Sequence, residues 1–99
     1  MARAVKKAYN THALHDIAQQ FKILADPTRL IILGMLAKTE LNVGVLAQSV
    51  GMTHPAVSYH LSLLRLAKFV EPTRDGKAVV YTLTERGRAF WDVAEKVLP

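Results

Sequence analysis

The stretch from Leu41 to Leu66, LNVGVLAQSVGMTHPAVSYHLSLLRL, constrains this chain more than any other. In its first part Val43, Leu46, Ala47 and Val50 recur at i, i+3, i+4 and i+7, the spacing of one apolar helix face. Gly51 is placed to stop that helix, because glycine accepts the left-handed geometry with which helices end. Thr53 then offers a hydroxyl to cap a second helix, and Pro55 suits a first turn whose backbone N–H groups have no partner. Behind that start Val57, Leu61 and Leu64 make a buried stripe. The opposite face carries His54, Ala56, Ser58, Tyr59, Ser62 and Arg65, small or hydrogen-bonding groups without an acid among them.

Two short helices joined by a tight turn, the first a brace and the second polar on its outward face, have the design of a helix-turn-helix whose second helix enters a DNA major groove. The rest of the chain fits around that unit. Upstream, Leu14, Ile17, Ala18, Phe21 and Leu24 keep a 3.6-residue period in a helix expected from about Ala8. Asp26-Pro27 is a helix start, with a capping carboxylate and then a proline at the first helical position. The helix it opens, Pro27 to about Ala37, is apolar on nearly all sides and is expected at the centre of the core.

Downstream, Phe69 to Arg74 and Lys77 to Leu83 read as two strands joined by Asp75-Gly76, a strong two-residue turn signal. Pro72 has no N–H for the ladder, so it is expected to face outward or mark an irregularity. A last helix is expected from about Thr84 to Leu98, with Phe90, Val93, Ala94 and Val97 as its stripe and Trp91 beside it. The expected fold is therefore mainly α with a small β-hairpin: a winged helix-turn-helix. It divides into a basic arm over residues 1–7 and one domain over residues 8–98, with the recognition helix at about 54–66 and the wing at about 70–83.

Composition narrows the partner. The 99 residues hold one core's worth of chain, and 51% are hydrophobic, enough to fold. The net charge of +5 favours nucleic acid or another anionic surface. That charge sits early: residues 1–22 carry four basic residues against one acidic, residues 23–83 six against four, and residues 84–99 three against three. There is no cysteine, which rules out disulfides and thiolate metal sites. No apolar run approaches the roughly 20 residues of a membrane span. Behind the basic N-terminus there is no apolar signal region, so a cytoplasmic location with no membrane partner is expected. No nucleophile–base set or phosphate-cradling glycine loop occurs, so no enzyme is expected.

The segments LADPTRLIILGML, ELNVGVLAQSVGMTHPAVSYHLSLLRLAKFV and RDGKAVVYTL together resemble the ArsR/SmtB family of bacterial winged-helix repressors, over about Phe21 to Leu83. The resemblance implies a homodimer built from the first and last helices, bound to a palindromic operator on double-stranded DNA. It maps the recognition helix onto Thr53 to Leu66 and so places His54, Ala56, Ser58, Tyr59 and His60 toward DNA, with Thr53 added at the start of the expected surface. Ser62, Arg65 and the wing residues Arg74 and Lys77 complete the expected surface, with Lys38 and Lys68 as further cations. The interface would draw on Leu14, Ile17, Phe21, Phe90, Trp91 and Val97. One departure is marked. Where the family's thiol-type metal sensors carry E-L-C-V-C, this chain reads Glu40-Leu41-Asn42-Val43-Gly44. Its last helix has Asp92 and Glu95 but no histidine, a poor transition-metal set.

Several residues admit two readings. His60 is set either to donate to a backbone carbonyl or to face DNA. Arg3, Lys6 and Lys7 either grip phosphate or solvate a free end. Phe90 and Trp91 would line either an effector pocket or the dimer interface. His12 and His15, at i, i+3 with Asp16 beside them, are either a metal pair completed across a dimer or a solvated face. No resident cofactor is expected. The expected function is a sequence-specific repressor released by a small-molecule or metal effector of unknown identity. The alternatives are a metal-responsive repressor using His12 and His15, and a winged helix serving only protein–protein contacts.

Overall fold

The computed structural model describes residues 8–99, and the arm assigned to residues 1–7 lies outside them. Each of the five helices from Thr11 onward begins where a short polar side chain accepts a hydrogen bond from a free backbone N–H three residues on. Asn10 accepts from Ala13 and opens α1, Thr11–Leu24. Asp26 accepts from Arg29 and opens α2, Pro27–Leu36. Asn42 accepts from Val45 and opens α3, Val43–Val50. Thr53 accepts from Ala56 and opens α4, His54–Leu66, and Thr84 accepts from Gly87 and opens α5, Glu85–Val97. Each such cap satisfies one of the orphan donors of a first turn. The helix that carries the Leu14 to Leu24 stripe starts at Thr11, later than the expected Ala8, because Asn10 takes the extended conformation of a cap.

Between α4 and α5 lie β1, Val70–Asp75, and β2, Ala78–Leu83, paired antiparallel from Val70 opposite Leu83 to Asp75 opposite Ala78. The two turn residues are Gly76 and Lys77, one position later than the sequence suggested. Gly76 has φ +64° and Lys77 does not share the positive φ, the pattern of a type II′ turn, which takes glycine first. Lys77 consequently sits at the tip of the wing, not in its second strand. Pro72 pairs opposite Tyr81 and is half-buried. Leu41 adds a one-residue bridge to the other side of β2: its N–H donates to the Tyr81 carbonyl at 3.2 Å, and Tyr81 N–H returns to the Leu41 carbonyl at 2.8 Å. The bridge ties the wing to the entry of α3.

The core is assembled from one residue stripe per element. Ile32, Leu33 and Leu36 of α2 meet Leu46 and Ala47 of α3, Val57, Leu61 and Leu64 of α4, and Phe69 and Val70 at the start of the wing, with Leu24 closing the end of α1. Helix α2 is central, as expected, but is not covered all round: Ile31 is exposed. The reason is geometric, since α1, α3, α4 and α5 occupy the sides that carry Ile32, Leu33 and Leu36 and leave one side open.

The two end helices behave differently from the rest. Of the expected stripe on α1 only Leu24 is buried, while Leu14, Ile17 and Phe21 are exposed. On α5, Val93 and Val97 are 64% and 80% exposed. Phe21 touches Phe90 edge to face at 5.4 Å between ring centres, and Phe90 in turn meets Phe69 at 5.0 Å, so the two helices are joined through aromatic contacts. Leu14 and Ile17 of α1 and Val93 and Val97 of α5 are left open to solvent among the described residues.

Candidate nucleic-acid interface

Helix α4 has two unlike sides. Val57, Leu61 and Leu64 have no exposed surface, and they anchor the helix on α2 and α3. The other side presents Thr53, His54, Ser58, Tyr59, Ser62 and Arg65 to solvent, with Ala56 half-buried at the margin. Tyr59 is 61% exposed although it is the largest side chain of the row. Ser62 Oγ donates to the Tyr59 carbonyl at 2.6 Å, so its hydroxyl is left as an acceptor. No acidic residue lies on this helix.

Beside α4, the wing supplies Arg74 from β1 and Lys77 from its turn, both exposed. Ser58, Ser62, Arg65, Leu66, Lys68 and Tyr81 line a cleft of about 340 Å³ between the helix and the wing. Arg65, Arg74 and Tyr81 also line the next depression along β1 and β2. Lys38, the remaining cation named from the sequence, is exposed just after α2.

His60 departs from its helix neighbours. It is half-buried, and Nδ1 lies 3.2 Å from Nη1 of Arg29 on α2. Neither of the two partners considered for it, a backbone carbonyl or DNA, accounts for this contact. Arg29 Nε donates to the Ile23 carbonyl in the last turn of α1, and its backbone N–H donates to the Asp26 carboxylate. That backbone bond, aided by the Arg29 charge, holds the Asp26 carboxyl below its ordinary value against a smaller opposing effect of burial.

Three cationic or strained features were not legible in the sequence. Lys68 takes a left-handed conformation, φ 66°, just past α4. Its N–H donates to the Arg65 carbonyl and that of Phe69 to the Leu64 carbonyl, both at 2.9 Å, which makes a Schellman ending without glycine. Arg86 Nη1 donates to the Ala67 carbonyl at 3.2 Å, and Arg88 Nη1 to the Ala37 carbonyl at 3.1 Å. Both arginines of α5 thus serve carbonyls at the ends of other helices, where positive charge is favoured.

His12, His15 and Asp16 are exposed on α1, and among the described residues no three histidine, aspartate or glutamate side chains come together as a metal-binding group. Trp91 lies against Gly34 of its own chain, half-buried, and Phe90 lies between Phe21 and Phe69. Among the described residues no helix is long and apolar enough to cross a membrane.

The family described as "Bacterial regulatory protein, arsR family" matches residues 26–71, which is α2, α3, α4 and the start of the wing. The HTH-type transcriptional regulator KmtR of Mycobacterium tuberculosis is 43% identical over 67 residues, 68% of this chain and 52% of that protein. The transcriptional repressor SdpR of Bacillus subtilis is 33% identical over 63 residues, 64% of this chain and 70% of that protein. The solved homodimeric winged helix-turn-helix DNA-binding domain of a possible ArsR-family regulator from Mycobacterium bovis superposes with a TM-score of 0.80 at 30% identity, covering 88% of this chain and 82% of that one. The chain spans 52–62% of the length of the first curated relatives it matches. Sequence and fold agree over the same helices and wing: the chain belongs to the ArsR family of bacterial regulatory proteins.

Proposed function

We propose that this chain is a homodimeric, sequence-specific DNA-binding repressor. The observation that carries the reading is the exposed, acid-free row on α4, set on a back that is wholly buried. A helix of this kind fits a major groove about 12 Å wide. Thr53, His54, Ala56, Ser58 and Tyr59 lie in its N-terminal half, the part from which such helices reach base edges. Ser62 and Arg65 lie further along, and Arg65, Arg74 and Lys77 supply phosphate contacts, with Lys38 and Lys68 adding to the field.

The uncovered apolar residues of α1 and α5, chiefly Leu14, Ile17, Phe21, Val93 and Val97, are the dimer surface of this reading. Patches of this kind are uncommon on monomers. A two-fold axis there would present two recognition helices to successive major grooves about 34 Å apart, and so to a palindromic operator. Support comes from relatives named as a regulator and a repressor, and from a homodimeric neighbour. Release requires an effector that favours a state in which the two helices no longer match the grooves.

The test is a gel-shift titration on a duplex taken from upstream of the chain's own gene. Replacing Ser58→Ala together with Tyr59→Ala is expected to abolish binding while sedimentation still reports a dimer. Undiminished affinity would overturn the reading. So would an unmodified protein with no salt-sensitive binding, in favour of a module for protein contacts.

A further inference from the structure

His60 belongs to the recognition helix, yet its ring is engaged with the body of its own chain. A guanidinium has only N–H donors and keeps its charge at any pH at which a protein survives. In the 3.2 Å contact with Arg29 Nη1, Nδ1 of His60 must therefore be the acceptor. This requires the neutral imidazole with its proton on Nε2. The Arg29 guanidinium is itself held on another side by the Ile23 carbonyl at the end of α1, while the Arg29 backbone N–H, within the first turn of α2, donates to the capping Asp26 carboxylate. One side chain thus joins the last turn of α1, the first turn of α2 and the middle of α4.

We propose that Arg29 is a positioning residue for DNA recognition, holding α4 against the end of α1 through a bond that exists only while His60 is neutral. The inference rests on the DNA-binding reading. Protonation of Nδ1 removes the acceptor and brings two cations into contact. The groups facing His60 are Arg29 from α2, Asp26 from the α1–α2 junction and Tyr59 from α4, whose ring lies 5.9 Å away edge to face. From α1 the group in the cluster is the Ile23 carbonyl, reached through Arg29. Asp26 attracts an imidazolium and so works against the release. Its carboxylate is already bonded to the Arg29 N–H and makes no hydrogen bond to His60 among the described residues, whereas Arg29 is in direct contact. Helix α1 carries uncovered apolar surface and α4 the polar row. A loosened link between them therefore alters the relation between dimer and DNA surfaces, on which a match to two grooves depends.

Two measurements decide the matter separately. The first is 15N NMR of the imidazoles in the DNA-free protein. His60 is expected to show the Nε2–H tautomer at neutral pH, and Arg29→Lys, which cannot serve Ile23 and His60 together, is expected to relax it to a mixture. The second is binding to the upstream duplex at about pH 7.5 and about pH 5.5, for the unmodified chain and for His60→Gln, whose amide oxygen accepts from Arg29 at either pH. The loss on acidification is expected to be about tenfold larger for the unmodified chain, as for a lost hydrogen bond to a charged group. Any effect of pH on the other groups of the DNA surface is common to both proteins and cancels from the ratio. An Nδ1–H tautomer, or one indifferent to Arg29→Lys, overturns the link itself. Equal pH ratios overturn its role in positioning. If neither protein binds the duplex, the DNA-binding reading fails with the role built on it, while the NMR result still decides whether the link exists.

Discussion

A β-carbon on Gly34 would lie 2.7 Å from Cη2 of Trp91, so the indole of α5 occupies the place a side chain on α2 would need. The bare glycine lets the two helices approach, and it turns Trp91 into its own chain. Gly34→Ala forces the indole to move, at a cost of about 1–3 kcal/mol for overpacking, offset in part by the roughly 1 kcal/mol by which alanine favours a helix interior. A net loss of stability of up to about 2 kcal/mol is expected in a denaturant titration. Trp91, the one tryptophan of the chain, reports the displacement through its emission. Unchanged stability and emission would show that the indole does not fill this space.

Lys68 ends α4 in a conformation that costs a residue with a β-carbon about 1–2 kcal/mol. Lys68→Gly is expected to raise the thermal midpoint by the equivalent of about 1 kcal/mol. Lys68→Val, β-branched at the same φ, is expected to lower it. Calorimetry on the three proteins orders them, and an order other than Gly, Lys, Val contradicts the left-handed ending.

Asp26 caps α2, and its carboxyl is held below its ordinary value chiefly by the Arg29 N–H. The sign follows from linkage. A lowered folded-state value means that the unfolded chain takes up the proton first, so the contribution is complete above about pH 4 and fades as pH falls through the folded value. Asp26→Ala is expected to cost about 1 kcal/mol near neutral pH. The gap to the unmodified protein should narrow steadily in urea titrations below about pH 4. A gap independent of pH would locate the cost in packing and not in the charge.

Val97, 80% exposed near the end of α5, tests the dimer surface. Val97→Glu places a charge on the uncovered apolar face and is expected to shift sedimentation equilibrium toward monomer by at least tenfold, since an unpaired charge at an interface costs several kcal/mol. Val45→Glu, on an exposed position of α3, is the control and should leave association unchanged. Equal association of both variants would move the interface elsewhere.

Lys77 occupies the tip of the wing because the turn falls on Gly76 and Lys77. Lys77→Ala is expected to weaken binding to all duplexes alike and to reduce the slope of log affinity against log salt by about one. A loss confined to one sequence would instead make Lys77 a reader of bases.

The helix-turn-helix was legible because its signals are local. Gly51 has φ 69° at the turn, Thr53 caps α4, and Val57, Leu61 and Leu64 are the buried stripe, all as their spacing implies. The wing was legible too, apart from the turn. Asp-Gly resembles a turn centre, but the pairing of Asp75 with Ala78 moves the centre to Gly76-Lys77. His60 was not legible. Its position on the helix allowed contact with DNA or a carbonyl, and nothing in the neighbouring residues pointed to an arginine 31 positions away.

Capping, helix period and turn chemistry are decided within three to five residues, by which side chain can reach which backbone group, so amino-acid order alone settled where the elements begin and end to within a few positions. Periodicity states that a face avoids water, not what covers it. Only the packed chain distinguished the stripe of α4, which is sealed inside, from those of α1 and α5, which lie open. Tertiary structure likewise chose the carbonyls that Arg86 and Arg88 serve, 19 and 51 residues away, and the histidine that Arg29 meets. A long cation can satisfy many acceptors, and the one within its reach is set by how the helices cross.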